Sequence, residues 1–296
     1  MAAEQNPDPL PPEPPSDSST PEVAATPPAS AAEPVAELPP PEILPPAPIP
    51  LAPATPPRPP WNFWDVLAIL GVTIVGSWIA VGIAIGFRAR VVNAKAIEAL
   101  GHDPLIVIPA QAAAYALGFA FMIGLLKARG LKFWQAIEWR WPQRWLRFAL
   151  AGVGLSIAIQ ILTSRLPVPK QLPIDLYFTT VAGAWAMAIF GTLVAPFIEE
   201  LFFRGFLYPV LERWWGISLG TIVTAALFAL IHGSQLALAW APLLMLFLVG
   251  LVLTTVRVVA RSVAASFLVH MFYNGLLFTL MFFATDHFHD LDKLGR

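Results

Sequence analysis

Seven apolar stretches follow one another along this chain, most of them long enough to cross about 30 Å of hydrocarbon. They are Val66–Phe87, Leu105–Leu126, Phe148–Leu162, Leu176–Ile198, Ile217–Ile231, Leu236–Val256 and Val263–Ala284. Lipid offers no partner to a backbone N–H or C=O, so such segments run as helices that satisfy their own backbone. Only 12% of the 296 residues are charged. A soluble domain carries about 25%, so this surface faces something other than water. The expectation is an all-α, polytopic transmembrane bundle of about seven to eight helices, an integral multi-pass protein whose first partner is the lipid bilayer. Tryptophans at 61, 64, 134–145 and 214–215 mark the interfaces.

Residues 1–60 are different in kind. They hold 22 of the 31 prolines, and residues 1–57 carry eight acidic side chains and no Lys or Arg. Proline withholds a backbone donor and breaks helices and sheets, and so polar a stretch buries too little to offset its ordering entropy. Residues 1–60 are expected to be a disordered acidic tail, 61–285 the membrane domain, and 286–296 a short polar C-terminal tail. If the N-terminus is cytoplasmic and there are seven crossings, eleven of the 18 Lys and Arg lie inside, which puts the tail in the cytoplasm. With no cysteine, thiolate chemistry and disulfides are excluded.

Two glycine pairs invite interpretation. Gly82 and Gly86 have the spacing of close helix packing. Gly152 and Gly154 lie in an apolar helix with no strand before them, which removes a nucleotide-loop reading. No nucleic-acid partner is expected.

Ionisable residues inside apolar segments are costly and usually functional. Three clusters stand out. In Glu199-Glu200-Leu201-Phe202-Phe203-Arg204, Glu200 and Arg204 are four apart and can pair on one helix face. Glu199 points about 100° away without that partner, which makes it a candidate general base. The second cluster is Phe228-Ala229-Leu230-Ile231-His232. If the chain turns at Trp214–Gly216, Glu199 lies 16 residues before Trp215 and His232 lies 17 after it. The two then meet at one level of an antiparallel hairpin. The third is His270-Met271-Phe272-Tyr273-Asn274, where His270 and Asn274 share a helix face.

EExxxR, FxxxH and HxxxN, in that order on membrane helices, resemble the CPBP family of intramembrane peptidases. That family includes the type II CAAX prenyl endopeptidases and proteins described as abortive-infection or bacteriocin-immunity proteins. The resemblance covers about residues 176–284. It implies a hydrolase that cuts a peptide bond of a membrane-anchored peptide or protein, prenylated CAAX-type substrates included. By that resemblance Glu199 and His232 activate the attacking water, His270 and Asn274 stabilise the oxyanion, and Glu200 and Arg204 support them. A non-catalytic immunity or scaffold protein using the same polar cavity is the alternative.

Glu199, His232 and His270 also make up the His₂Glu set of catalytic zinc sites, so a divalent metal such as zinc stays open as a cofactor. The compact HExxH helix that usually signals zinc is missing. Asp286-His287-Phe288-His289-Asp290 could bind a metal too, but reads first as part of a solvated tail. One difficulty concerns depth. For His232 and His270 to meet, a helix between the motifs must be tilted, kinked or partly inserted, and Pro196, Pro209 and Pro242 are candidate break points.

Overall fold

A computed structural model describes residues 59–88, 100–169 and 171–291. The proline-rich tail lies outside them. Among the described residues six helical stretches are long and apolar enough to cross a membrane, and the protein is an all-helical transmembrane bundle. One of the six, Val181–Ile231, folds back on itself, so that it supplies two of the seven apolar segments read from the sequence.

Helix α1 (Phe63–Arg88) and helix α2 (Pro104–Ala128) pair first. Asp103 caps α2 by accepting the Leu105 N–H, and Pro104 occupies its first turn, where a missing N–H is harmless. Their close crossing is at Gly76 and Gly118. A Cβ added to Gly118 would stand 2.4 Å from Thr73 Oγ1, and one added to Gly76 3.0 Å from Leu117. Gly82 and Gly86 do not play this part: no described atom comes within 4 Å of a Cβ built on either. Their GxxxG spacing puts them on one face, but α2 crosses at Gly76, and tertiary placement decides which small residues meet.

A short helix α3 (Phe133–Ala136) leads into the loop before α4 (Trp145–Thr163). This aromatic, basic connection docks on the bundle. The Glu138 carboxylate accepts from Arg257 at 2.6 Å, its carbonyl accepts the Val263 N–H at 3.2 Å, and the Ser262 hydroxyl donates to Arg140 O. Helix α4 packs on the last helix through Gly152, whose added Cβ would lie 2.3 Å from Val269 O. That contact is helix packing, in keeping with the removal of the nucleotide-loop reading.

The fourth apolar segment is broken up. A 3₁₀ turn (Pro173–Phe178) precedes α5 (Val181–Ile189). A π-helical segment, Phe190–Val194, separates α5 from the six-residue helix α6 (Ala195–Glu200). A second π segment, Leu201–Leu207, leads to α7 (Tyr208–Ile231). Two of the three expected break points therefore follow π widenings directly, since Pro196 and Pro209 sit in the first turns of α6 and α7. A proline ring clashes with the carbonyl four residues back in an α-helix, and the wider turn makes room for it.

Within α7 the chain reverses at Gly216, whose φ of 74° and ψ of 177° are not helical. A Cβ on Gly220 would lie 2.9 Å from Glu212 N. In a straight helix eight residues separate such atoms by about 12 Å, so the two limbs run antiparallel. The returning limb ends at His232, and residues 233–239 form a turn before α8 (Trp240–Ala260). That limb is about 22 Å long at 1.5 Å per residue, too short to cross the hydrocarbon. His232 at the end of this short limb and His270 both face Glu199, the meeting that the depth difficulty put in question. Pro242 breaks nothing, because it falls in the first turn of α8.

Helix α9 (Val263–Ala284) begins at Ser262, which caps it through the Ala265 N–H. It has the limits read from the apolar pattern. Beyond it, the segment at 286–290 departs from the solvated reading at one residue. Phe288 is buried against Trp185 and Phe282, with ring centroids at 5.5 and 5.3 Å. A phenylalanine this near the bundle gains more by burial than by hydration. Asp286 and His287 beside it stay exposed.

Candidate active site

The site gathers where α6, the returning limb of α7 and the middle of α9 meet. Glu199 and Glu200 occupy the last turn of α6. Glu200 and Arg204 pair at 2.8 Å, and both side chains are fully buried. Arg204 also donates to Gly250 O at 3.1 Å and to Thr254 Oγ1 at 3.3 Å. Its guanidinium carbon lies 4.7 Å from the centroid of the Phe228 ring. Each of the three guanidinium nitrogens of this buried cation thus has an acceptor, as its isolation from water demands.

Glu200 does more than the sequence suggested. Its Oε1 takes a second hydrogen bond, from His270 Nδ1 at 2.9 Å. A carboxylate already paired with Arg204 acts as acceptor, so the His270 proton sits on Nδ1 and Nε2 is turned towards Glu199. His232 is oriented by the same logic. Its Nδ1 lies 2.8 Å from Phe228 O, a carbonyl can only accept, and Nε2 is left facing Glu199.

The result is one carboxylate between two imidazoles. Glu199 Oε1 is 3.8 Å from His232 Nε2, and Oε2 is 3.9 Å from His270 Nε2. Glu199 is 9% exposed and His270 3%. The Phe228 ring lies beneath, its centroid 5.0 Å from His232 and 5.7 Å from His270. The phenylalanine of the FxxxH pattern supplies an apolar floor with its ring, and the backbone carbonyl at that position fixes the histidine four residues on.

Asn274 shares a helix face with His270 but takes another partner. Its Nδ2 donates to Gly191 O, in the first π segment, at 2.7 Å. Glu199, His232 and His270 come together directly, whereas Asn274 is engaged with Gly191, eight residues before Glu199.

Three further residues near the site carry no motif. Tyr115, with Gln111 one turn before it on α2, approaches the Glu199 carboxylate from the first helix pair. Tyr115 also lines an apolar groove of about 300 Å³ with Ala112, Leu193, Phe197 and Phe267. Two polar residues four apart in an otherwise apolar run could have been noticed in the sequence. Arg257, 7% exposed, donates through Nε to Arg204 O at 3.2 Å. It reads in the sequence as an ordinary positive charge at the end of a span, and nothing local betrays its burial.

Among the described residues no three His, Asp or Glu side chains are grouped to hold a metal ion. Glu199 turns a different oxygen to each imidazole. The separations of 3.8 and 3.9 Å exceed the roughly 3.3 Å between ligands of a tetrahedral shell with Zn–N and Zn–O of about 2.0–2.1 Å. As arranged, the donor set does not fit a zinc ion.

Comparison with known families agrees with this location. Residues 181–276, which carry all three clusters, match the model described as type II CAAX prenyl endopeptidase Rce1-like. Searches of curated proteins and of solved structures gave no match.

Proposed function

We propose that the protein, whose residues 181–276 match the type II CAAX prenyl endopeptidase Rce1-like model, is an intramembrane endopeptidase using a water activated by Glu199 and His232. The observation that carries the reading is a Glu199 carboxylate inside the span, facing both His232 Nε2 and His270 Nε2 at 3.8 and 3.9 Å. A water about 2.8 Å from both Glu199 Oε1 and His232 Nε2 stands at the apex of a triangle on that shorter side.

Glu199 takes the proton as the water oxygen attacks the scissile carbonyl carbon. The oxyanion that forms is met by His270, whose ring the Glu200 carboxylate holds through Nδ1. The second amide hydrogen of Asn274 is a further donor. Collapse of the intermediate breaks the C–N bond, and the proton held by Glu199 passes to the leaving amine. Water is consumed, and a new carboxylate and a new amine result. The substrate is a membrane-anchored peptide or protein, and a prenylated CAAX-type peptide is the first to try.

The test is proteolysis by the purified protein in lipid, with Glu199→Ala as control. Cleavage by the wild type alone supports the reading. Substrate binding without cleavage by either protein would favour a non-catalytic scaffold using the same cavity.

A further inference from the structure

Helix α6, with both glutamates in its last turn, lies between two π-helical segments that share one defect. At the first, the Ala195 N–H donates to Phe190 O, five residues back. The α-helical donor for Gly191 O is thereby lost. Its π-helical donor would be residue 196, which is proline and has no N–H. At the second, the Tyr208 N–H donates to Phe203 O. Arg204 O loses its α-helical donor in the same way, and residue 209 is again proline. Each π segment therefore leaves one carbonyl with no helical donor among apolar side chains, where an unsatisfied backbone group is expensive.

Both carbonyls are taken by side chains from neighbouring helices. Asn274 Nδ2 on α9 donates to Gly191 O at 2.7 Å. Arg257 Nε on α8 donates to Arg204 O at 3.2 Å. The two orphaned carbonyls flank the glutamates, eight residues before Glu199 and four after Glu200. We propose that Asn274 and Arg257 are positioning residues which, by capping the carbonyls freed by Pro196 and Pro209, lock the turn that presents Glu199 to His232 and His270. Arg257 is itself held by Glu138 of the interfacial connection at 2.6 Å. The α3–α4 connection thus reaches the glutamate turn through one arginine. For Asn274 this role uses one amide hydrogen and leaves the other for chemistry.

The proposal rests on the endopeptidase reading only for its activity readout. The deciding experiment is a pair of double-mutant cycles by thermal unfolding in detergent: Asn274→Leu with Pro196→Ala, and Arg257→Met with Pro209→Ala. Alanine at 196 or 209 returns an N–H. The carbonyl is then satisfied whether the segment stays π or relaxes to α. Each single donor deletion should lower the melting temperature by about 2–10 °C, and the matching proline replacement should remove much of that loss. The Arg257–Glu138 contact is lost in either background and drops out of the cycle. With a cleavable substrate, Arg257→Met should lower kcat by about 10²-fold, as a small misplacement of catalytic groups does. KM should hold, and Pro209→Ala should restore turnover. Strict additivity in both cycles would overturn the proposal. Absence of cleavage in the wild type would count against the endopeptidase reading alone, and the unfolding cycles would still decide this one. If Arg257→Met does not fold, the Asn274–Pro196 cycle decides it.

Discussion

Helices α1 and α2 and the bundle from α5 to α9 occupy the same membrane under opposite rules. The first pair runs through as two continuous helices, α2 with Pro109 inside it, and sets a glycine against a threonine hydroxyl where the two cross. The second breaks its helices twice with π turns, reverses at Gly216 and buries Glu200, Arg204, Arg257 and His270. Regular helices solve the backbone problem in lipid alone. Irregular ones solve it only with side chains from their neighbours, as Asn274 and Arg257 do. The irregularity has a use: it puts a carboxylate between two imidazoles within the span, where a straight helix would have carried the two glutamates past.

That contrast can be broken at specific residues. The largest stability loss is expected from Glu200→Gln, which removes the charge opposite Arg204 in a fully buried pair. Breaking such a pair costs about 3–5 kcal/mol, measurable as a drop in melting temperature. Because Glu200 also holds His270, turnover per folded molecule should fall as well. A Glu200→Gln protein as stable as the wild type would contradict the buried-pair account.

A smaller effect is expected in the regular pair. Gly118→Val places branched carbons where Thr73 Oγ1 already stands 2.4 Å from a Cβ. Overpacking of this kind costs about 1–3 kcal/mol, and it should appear in thermal unfolding with turnover per folded molecule little changed. The smallest effect belongs to Gly82→Ala. Its Cβ meets no described atom within 4 Å, and alanine is the better helix former by up to about 1 kcal/mol. A stability loss there would mean that the GxxxG face is packed after all.

Much of this was readable in the sequence because it rests on periodicity and spacing. The limits of α9, the Glu200–Arg204 pair and the level meeting of Glu199 with His232 all follow from 3.6 residues per turn and 1.5 Å of rise. What escaped depends on distant partners. Arg257 looks like a flanking charge until Glu138, 119 residues away, is seen beside it. Pro196 and Pro209 could be named as breaks, but the π turns before them, and the carbonyls those turns release, depend on which donor five residues on is missing. Gly82 and Gly86 had the right spacing on a face that α2 does not cover. Phe288 looked like tail because sequence position alone does not say where the chain folds back.

The central claim is that Glu199 carries the chemistry. The most direct measurement is specific proteolytic activity beside melting temperature for Glu199→Gln in detergent, compared with the wild type. The amide keeps size and shape but cannot take the proton from water. Turnover is expected to fall by about 10²–10⁴-fold with the melting temperature near that of the wild type, because Glu199 has no buried cation partner of the kind Arg204 gives Glu200. Full activity in a folded Glu199→Gln protein would contradict the account.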